Sequence, residues 1–256
     1  MFLLHKATDV TAPEIRELFS YPGGDEPTVR ATMVASLDGS ATVQGLSGVL
    51  GGPGDKQVFS AMRELADAIV VGASTAIAEG YRVPDLPEHV VRERTRAERP
   101  PVPVLVLVSR SLRIDTDFTT AVSSGTLIAT CSNAPHDARE RLAAAGANLV
   151  DCGDDDVDPS ALVRELAARG LTRIACEGGP RLLASLAAGG VLDQLVLTVS
   201  PTLVGGDGPR ITHGTELPVP DQDLRLPLRL PYPMRVRRLL GDDDGYLYLL
   251  TERVTG

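Results

Sequence analysis

Cysteine is scarce in this chain. Only Cys131, Cys152 and Cys176 occur, far apart and odd in number, with no C-x-x-C pair. That argues against a disulfide framework and leads us to expect a reducing, cytoplasmic setting. Histidine is equally sparse, and no H-E-x-x-H or Cys/His zinc spacing is present, so no metal site is expected. The acidic runs at 151–158 and 242–244 lack the glycine and glutamate frame of an EF-hand and read as solvated loops. No apolar run reaches the 18 residues of a membrane span. The opening stretch MFLLHKATDVTAPE lacks a basic region followed by a long apolar one, so no secretory signal is expected. A basic excess is missing too: 25 basic residues stand against 34 acidic ones, a net charge of −9. That speaks against a nucleic-acid coat, yet leaves room for a local anion site. There is no G-x-S-x-G elbow, which removes one large hydrolase class.

What remains is an ordinary globular composition. The chain has 256 residues, 43% hydrophobic and 23% charged, enough for a sizeable core and a cofactor cleft. Strand-like runs fall at 28–35, 67–71, 103–108, 126–130, 147–151, 172–176 and 193–199. Helical patterns lie between them at 54–65, 73–79, 135–145, 158–169 and 180–188. Several strands are continuous apolar runs, the mark of strands covered on both faces, and the alternation implies parallel crossovers. After Pro201 the pattern changes to strands at 224–230, 233–240 and 245–253, the last two joined by GDDDG as a hairpin. The expected architecture is an α/β fold with a mixed, mostly parallel sheet and an antiparallel C-terminal edge. No linker composition divides the chain, so one domain over 1–256 is expected, with 1–27 as an N-terminal extension. Residues 80–102 form a charged, Pro-flanked excursion, either a surface loop with a short helix or a dimer contact.

Four stretches could carry chemistry. Gly178-Gly179-Pro180 follows a strand and opens a helix, and two glycines there let a ligand approach the free N–H groups of the helix start. The turn is a diphosphate cradle or a plain βα turn. Gly72-Ala73-Ser74-Thr75 has the same form, either a second cofactor turn or a simple helix cap. Ser36-Leu37-Asp38-Gly39 ends the first strand, and Asp38 either bonds its own backbone or faces a substrate. The Gly-rich run 45–56 with Ser47 reads as a lid or phosphate loop, or as a linker. Arg110 after Ser109, and Arg63 on the helix 54–65, could each pair with phosphate or lie in solvent. Glu177 stands just before the glycine pair.

The ordered set MVASLDG (33–39), DAIVVGAST (67–75), VLVLVSRS (104–111), CEGGPRLL (176–183) and LDQLVLTVSPTLVGG (192–206) is more specific than its parts. It resembles the reductase half of the bifunctional deaminase/reductase of bacterial riboflavin biosynthesis, which has the dihydrofolate reductase-like fold. The match spans roughly 28–254. The resemblance implies an NADPH-dependent oxidoreductase that reduces 5-amino-6-(5-phosphoribosylamino)uracil, a phosphorylated pyrimidine, by opening the sugar and delivering hydride to its C1. It implies NADPH contacts at Val34, Val49, Gly72, Thr75, Glu79, Ser109, Arg110, Gly178, Gly179, Pro180, Arg181, Leu182 and Leu183. Ser109 and Arg110 would meet the 2′-phosphate. It implies substrate contacts at Ser36, Ser47, Arg63 and Glu177, with Asp38 as the candidate proton relay. A homodimer without nucleic-acid or membrane partners is implied as well. Two departures stand out: the zinc deaminase signature is absent, so deamination is expected from another chain, and the lysine of many bacterial members is Thr32 here. Other readings of the same residues are a dihydrofolate or pterin-like reductase and a non-catalytic NADP-binding sensor.

Overall fold

In the computed structural model, residues 10–214, 217 and 232–254 are described. The expected strand at 224–230 lies outside them. The elements are α1 (Ala12–Leu18), β1 (Thr28–Ser36), α2 (Pro53–Leu65), β2 (Ala68–Gly72), α3 (Ala73–Ala78), α4 (Glu88–Arg96), β3 (Val104–Val108), β4 (Thr126–Thr130), α5 (His136–Ala144), β5 (Asn148–Asp151), α6 (Pro159–Ala168), β6 (Arg173–Cys176), α7 (Pro180–Ala188), β7 (Gln194–Ser200), β8 (Met234–Gly241) and β9 (Leu247–Arg253). The nine strands form one sheet in the order β5-β4-β3-β2-β6-β1-β7-β9-β8. All neighbours from β5 to β7 are parallel, while β9 runs antiparallel to both β7 and β8. The mixed, mostly parallel α/β fold with an antiparallel C-terminal edge is therefore as expected.

The apolar runs are buried on both faces because successive side chains alternate. In β2, Ala68 and Val70 enter one core while Ile69 and Val71 enter the other. In β3, Val106 faces the first core and Leu105 and Leu107 the second. Helices α6 and α7 cover the first face through Leu162, Leu166, Leu183 and Leu186. Ala138 and Leu142 of α5 cover the second. A third cluster packs Ile15 and Phe19 on Val58 and Met62 of α2, against Val196, Tyr248 and Leu250.

Two segments carry features beyond those expected, although the excursion does carry the expected short helix, α4. The N-terminal extension contains α1, capped by a reciprocal pair: the Thr11 N–H and hydroxyl both donate to Glu14, at 2.7 and 2.6 Å. The charged excursion is docked onto the body by buried arginines. Arg94, 2% exposed, donates to the carbonyls of Glu64, Ala66 and Pro100 at 2.9, 2.6 and 2.8 Å. Arg99 adds Leu65 and the Asp67 carboxylate, at 2.6 and 2.7 Å. These cations satisfy the open carbonyls at the end of α2, a need that a charge-rich sequence does not display.

Candidate active site

Strands β1, β2, β3 and β6 all end at one edge of the sheet, where ligands of open α/β sheets bind. The Glu177–Pro180 turn is strapped to β2 there: Glu177 N–H donates to the Val70 carbonyl and Gly72 N–H to the Gly178 carbonyl, both at 3.0 Å. Gly178 has φ +106°, a conformation that favours glycine. A Cβ at Gly179 would come within 2.6 Å of Thr75 Oγ1. The two βα turns, one after β2 and one after β6, therefore close on each other with space only for a backbone. Pro180 takes the first position of α7, where its missing N–H is no loss.

Two adjoining cavities open beside this turn, of about 770 and 550 Å³. Both are lined by Met33, Ser47, Thr75, Glu79 and Glu177, so they form one continuous cleft. The smaller contains Gly178, Gly179 and Pro180, while the larger contains Val34 and Arg63. Arg63 donates Nε to Glu177 Oε1 at 2.8 Å and Nη2 to Oε2 at 2.7 Å. The Glu177 side chain is fully buried, and that of Arg63 keeps 27% exposure. Burial lowers the Arg63 pKa, but the bond to Glu177 and its charge outweigh this and raise it. The guanidinium also lies over the rings of Phe59 and Tyr81, at 4.4 and 5.4 Å. Ser47 anchors the Gly-rich loop: its N–H and hydroxyl donate to Glu79 at 3.1 and 2.9 Å.

Other expected residues stand apart from the cleft. Asp38 is outside both linings. Its carboxylate accepts from the Ser36 hydroxyl and from the N–H groups of Val204 and Gly205, the last at 2.6 Å. Those bonds, led by Ser36, hold its pKa down at about 2. Asp38 thus pins the end of β1 to the loop after β7, and as an ionised group it has no proton to give near neutral pH. Ser36 is buried in the same turn and accepts from Ser40 N–H at 2.9 Å. Val49 is 63% exposed on the outer side of the loop. Ser109 accepts from Leu112 N–H at 3.0 Å, and the exposed Arg110 faces Asp156 at 3.5 Å, farther along the same edge. Gly72 sits behind the glycine pair. Arg181 and Leu182 lie in the first turn of α7, and Leu183 is core.

Sequence reading missed Asp55, Phe59 and Tyr81, which line the larger cavity. Asp55, Phe59 and Arg63 are spaced by four residues on α2 and so share one helix face, a periodic signal that was there to be read.

The model of a family described as the RibD C-terminal domain matches residues 27–230. The chain belongs to this family. A Methanothermobacter thermautotrophicus protein named 2,5-diamino-6-ribosylamino-4(3H)-pyrimidinone 5′-phosphate reductase is 30% identical over 81% of this chain and 94% of its own length. An Archaeoglobus fulgidus protein of the same name is 27% identical over 73% of this chain and 87% of its own. Among solved structures, a pyrimidine reductase-like protein from Corynebacterium diphtheriae superposes with a TM-score of 0.77 at 26% identity, over 96% of this chain and all of that one. Membership of the RibD reductase family implies a nicotinamide cofactor. The close-packed glycine turn, with room for a backbone but no side chain, fits its diphosphate. No described helix is long and apolar enough to cross a membrane, and no described cluster of His, Cys, Asp and Glu could hold a metal ion.

Proposed function

We propose that this RibD-family chain reduces a phosphoribosylamino-pyrimidine to its ribitylamino form with NADPH. The observation that carries the reading is the Arg63–Glu177 pair facing the same cleft as the Gly178–Gly179 turn. The glycine turn and the start of α7 would hold the diphosphate through backbone N–H groups, with Thr75 beside it. Val34 would lie along the nicotinamide, and Arg110, exposed beside Asp156, would meet the 2′-phosphate. When bound, the reduced nicotinamide supplies the hydride that the sugar C1 accepts. Ser47 and the edge of the Arg63 guanidinium turned away from Glu177 would take the substrate phosphate. Glu177, fixed by Arg63, would accept from the N–H groups of the pyrimidine. The cleft walls align the two partners and exclude water. The homodimer and the cytoplasmic location expected from sequence belong to this proposal and are read by sedimentation and by cell fractionation.

The relatives' names specify a 2,5-diamino ring, whereas the resemblance seen in the sequence implies the deaminated one. The test is NADPH oxidation by purified protein with each of the two ring forms. Turnover of either supports the reading, and the faster one names the substrate. Failure of both, in protein that binds NADPH, overturns it and moves the weight to a dihydrofolate-like substrate or a non-catalytic sensor.

A further inference from the structure

Four carboxyl groups line the larger cavity: Asp55, Glu79, Asp85 and Glu177. Glu177 is held by Arg63, and Glu79 by two donors from Ser47. Asp85 is exposed to water on the loop before α4. Asp55 differs from all three. It stands in the first turn of α2, half-buried, and makes no ion pair among the described residues. Its carboxylate lies against the Gly51 backbone, where a Cβ would collide with Oδ2, and both residues line the cavity. A side chain at Gly54 would collide with the Tyr248 hydroxyl, so the hairpin packs directly on the helix backbone there. That hydroxyl donates to Asp242 at 2.5 Å and is therefore committed away from the cavity. Four and eight residues on, Phe59 and Arg63 continue the same face toward Glu177.

We propose that Asp55 is the general acid of the reduction, protonating the sugar ring oxygen as the C1–O bond opens. The proposal rests on the functional reading above. The step balances as follows. A C–H bond forms at C1 with the hydride pair, the C1–O bond breaks, and its electron pair stays on the ring oxygen. That oxygen takes the Asp55 proton and becomes the C4 hydroxyl of the ribityl chain. The carboxylate left behind recovers a proton from solvent, so the sum is substrate, reduced cofactor and one proton. Asp38, the sequence's candidate for this task, is ionised and outside the cavity. Burial pushes the Asp55 pKa up, opposed by the Thr198 hydroxyl and the Lys56 charge. The other titratable and charged groups around it are Lys56, Tyr248 and Asp242 on the near side, and Arg63, Glu177, Glu79, Tyr81, Arg82 and Asp85 around the cavity.

The test is Asp55→Asn, which keeps the shape and removes the acid. We expect an unchanged melting temperature and NADPH affinity, KM within about threefold, and kcat lower by roughly 100-fold or more. In the unchanged chain kcat falls as pH rises through the Asp55 pKa, and in the Asn variant this fall is lost. Asp55→Glu restores part of kcat and the fall with it. A carboxyl ¹³C titration of the NADP⁺-bound protein, read without turnover, should place Asp55 above the ordinary carboxylate range. An Asn variant that keeps kcat within threefold and keeps the alkaline fall overturns the proposal, as does a titration in or below the ordinary range. Absence of turnover by the unchanged chain overturns the functional reading and the acid role together, whereas with turnover only the variants and the titration decide Asp55.

Discussion

Arg63 and Glu177 meet through two parallel N–H···O bonds, of 2.8 and 2.7 Å, across 114 positions of sequence. The pair ties α2 to the end of β6 and so fixes the width of the cleft. It joins two residues that the sequence suggests separately as substrate contacts. Arg63→Ala leaves a fully buried carboxylate alone, and an unpaired buried charge costs several kcal/mol. Discounted for the partial exposure of Arg63, a loss of about 2–3 kcal/mol is expected in urea unfolding. Activity should fall with it. A variant that turns over any phosphorylated substrate at the original rate would remove Arg63 from the phosphate site.

The glycine turn makes a sharper test of cofactor binding. Gly179→Val places atoms against Thr75 Oγ1 and into the path of the diphosphate. NADPH affinity should fall more than about tenfold, which is about 1.4 kcal/mol, while circular dichroism stays unchanged. Full affinity in the folded variant would exclude this turn as the cradle.

Arg110 offers a test of cofactor choice. Its side chain is exposed and, among the described residues, pairs with Asp156 at 3.5 Å, so its removal should leave stability unaltered. Arg110→Ala should weaken NADPH binding well beyond NADH binding in parallel fluorescence titrations. Equal losses would mean that it does not read the 2′-phosphate.

Asp38 sets a pH dependence. Its pKa is depressed in the folded chain to about 2 from an ordinary 3.8. A depressed carboxyl stabilises fully above its unfolded pKa, and the contribution disappears as pH falls through the folded one. Asp38→Asn should therefore lower the melting temperature at pH 7, with the gap from the unchanged chain closing between about pH 4 and pH 2. A gap that persists at pH 2 would show that the carboxylate charge is not what pins β1.

The excursion is tested through Arg94. Arg94→Ala takes this donor from the carbonyls of Glu64 and Pro100, while that of Ala66 keeps Arg99, and buried acceptors left unpaired cost roughly 1–3 kcal/mol each, only part of which survives relaxation. A net destabilisation of about 3 kcal/mol is expected. KM for the pyrimidine should rise too, since Tyr81 and Val83 of the same segment line the cavity.

Much of the fold is legible in the sequence because burial on both faces writes itself as runs such as AIVVG and VLVLV, which need no context to interpret. The turns are legible for a similar reason, since glycine pairs and Pro180 mark the backbone conformations they serve. What escaped depends on partners far away in sequence. Helix α1 has seven residues and few apolar anchors, although its T-x-x-E pair announced the cap. Arg94 and Arg99 look like surface charge until the carbonyls they bind are known. In the site, Ser47, Glu177 and Arg63 were visible as types, but their pairing was not. Asp55 falls where the Gly-rich run 45–56 overlaps the helical pattern 54–65, and its place in the cavity depends on partners far away in sequence.

One relationship in the sheet bears on how the molecule comes to be. Strand β1 lies between β6 and β7, with Thr28 opposite Arg173 and Ser36 opposite Ser200. Strands β2 through β5 lie side by side in chain order, whereas β1 pairs with strands far along the chain. Such distant pairing slows folding relative to local pairing. The cleft, with β1 in its lining and the turn after β6 at its rim, exists only once this distant pairing is made. Ligands that need the finished cleft therefore stabilise the completed molecule by mass action.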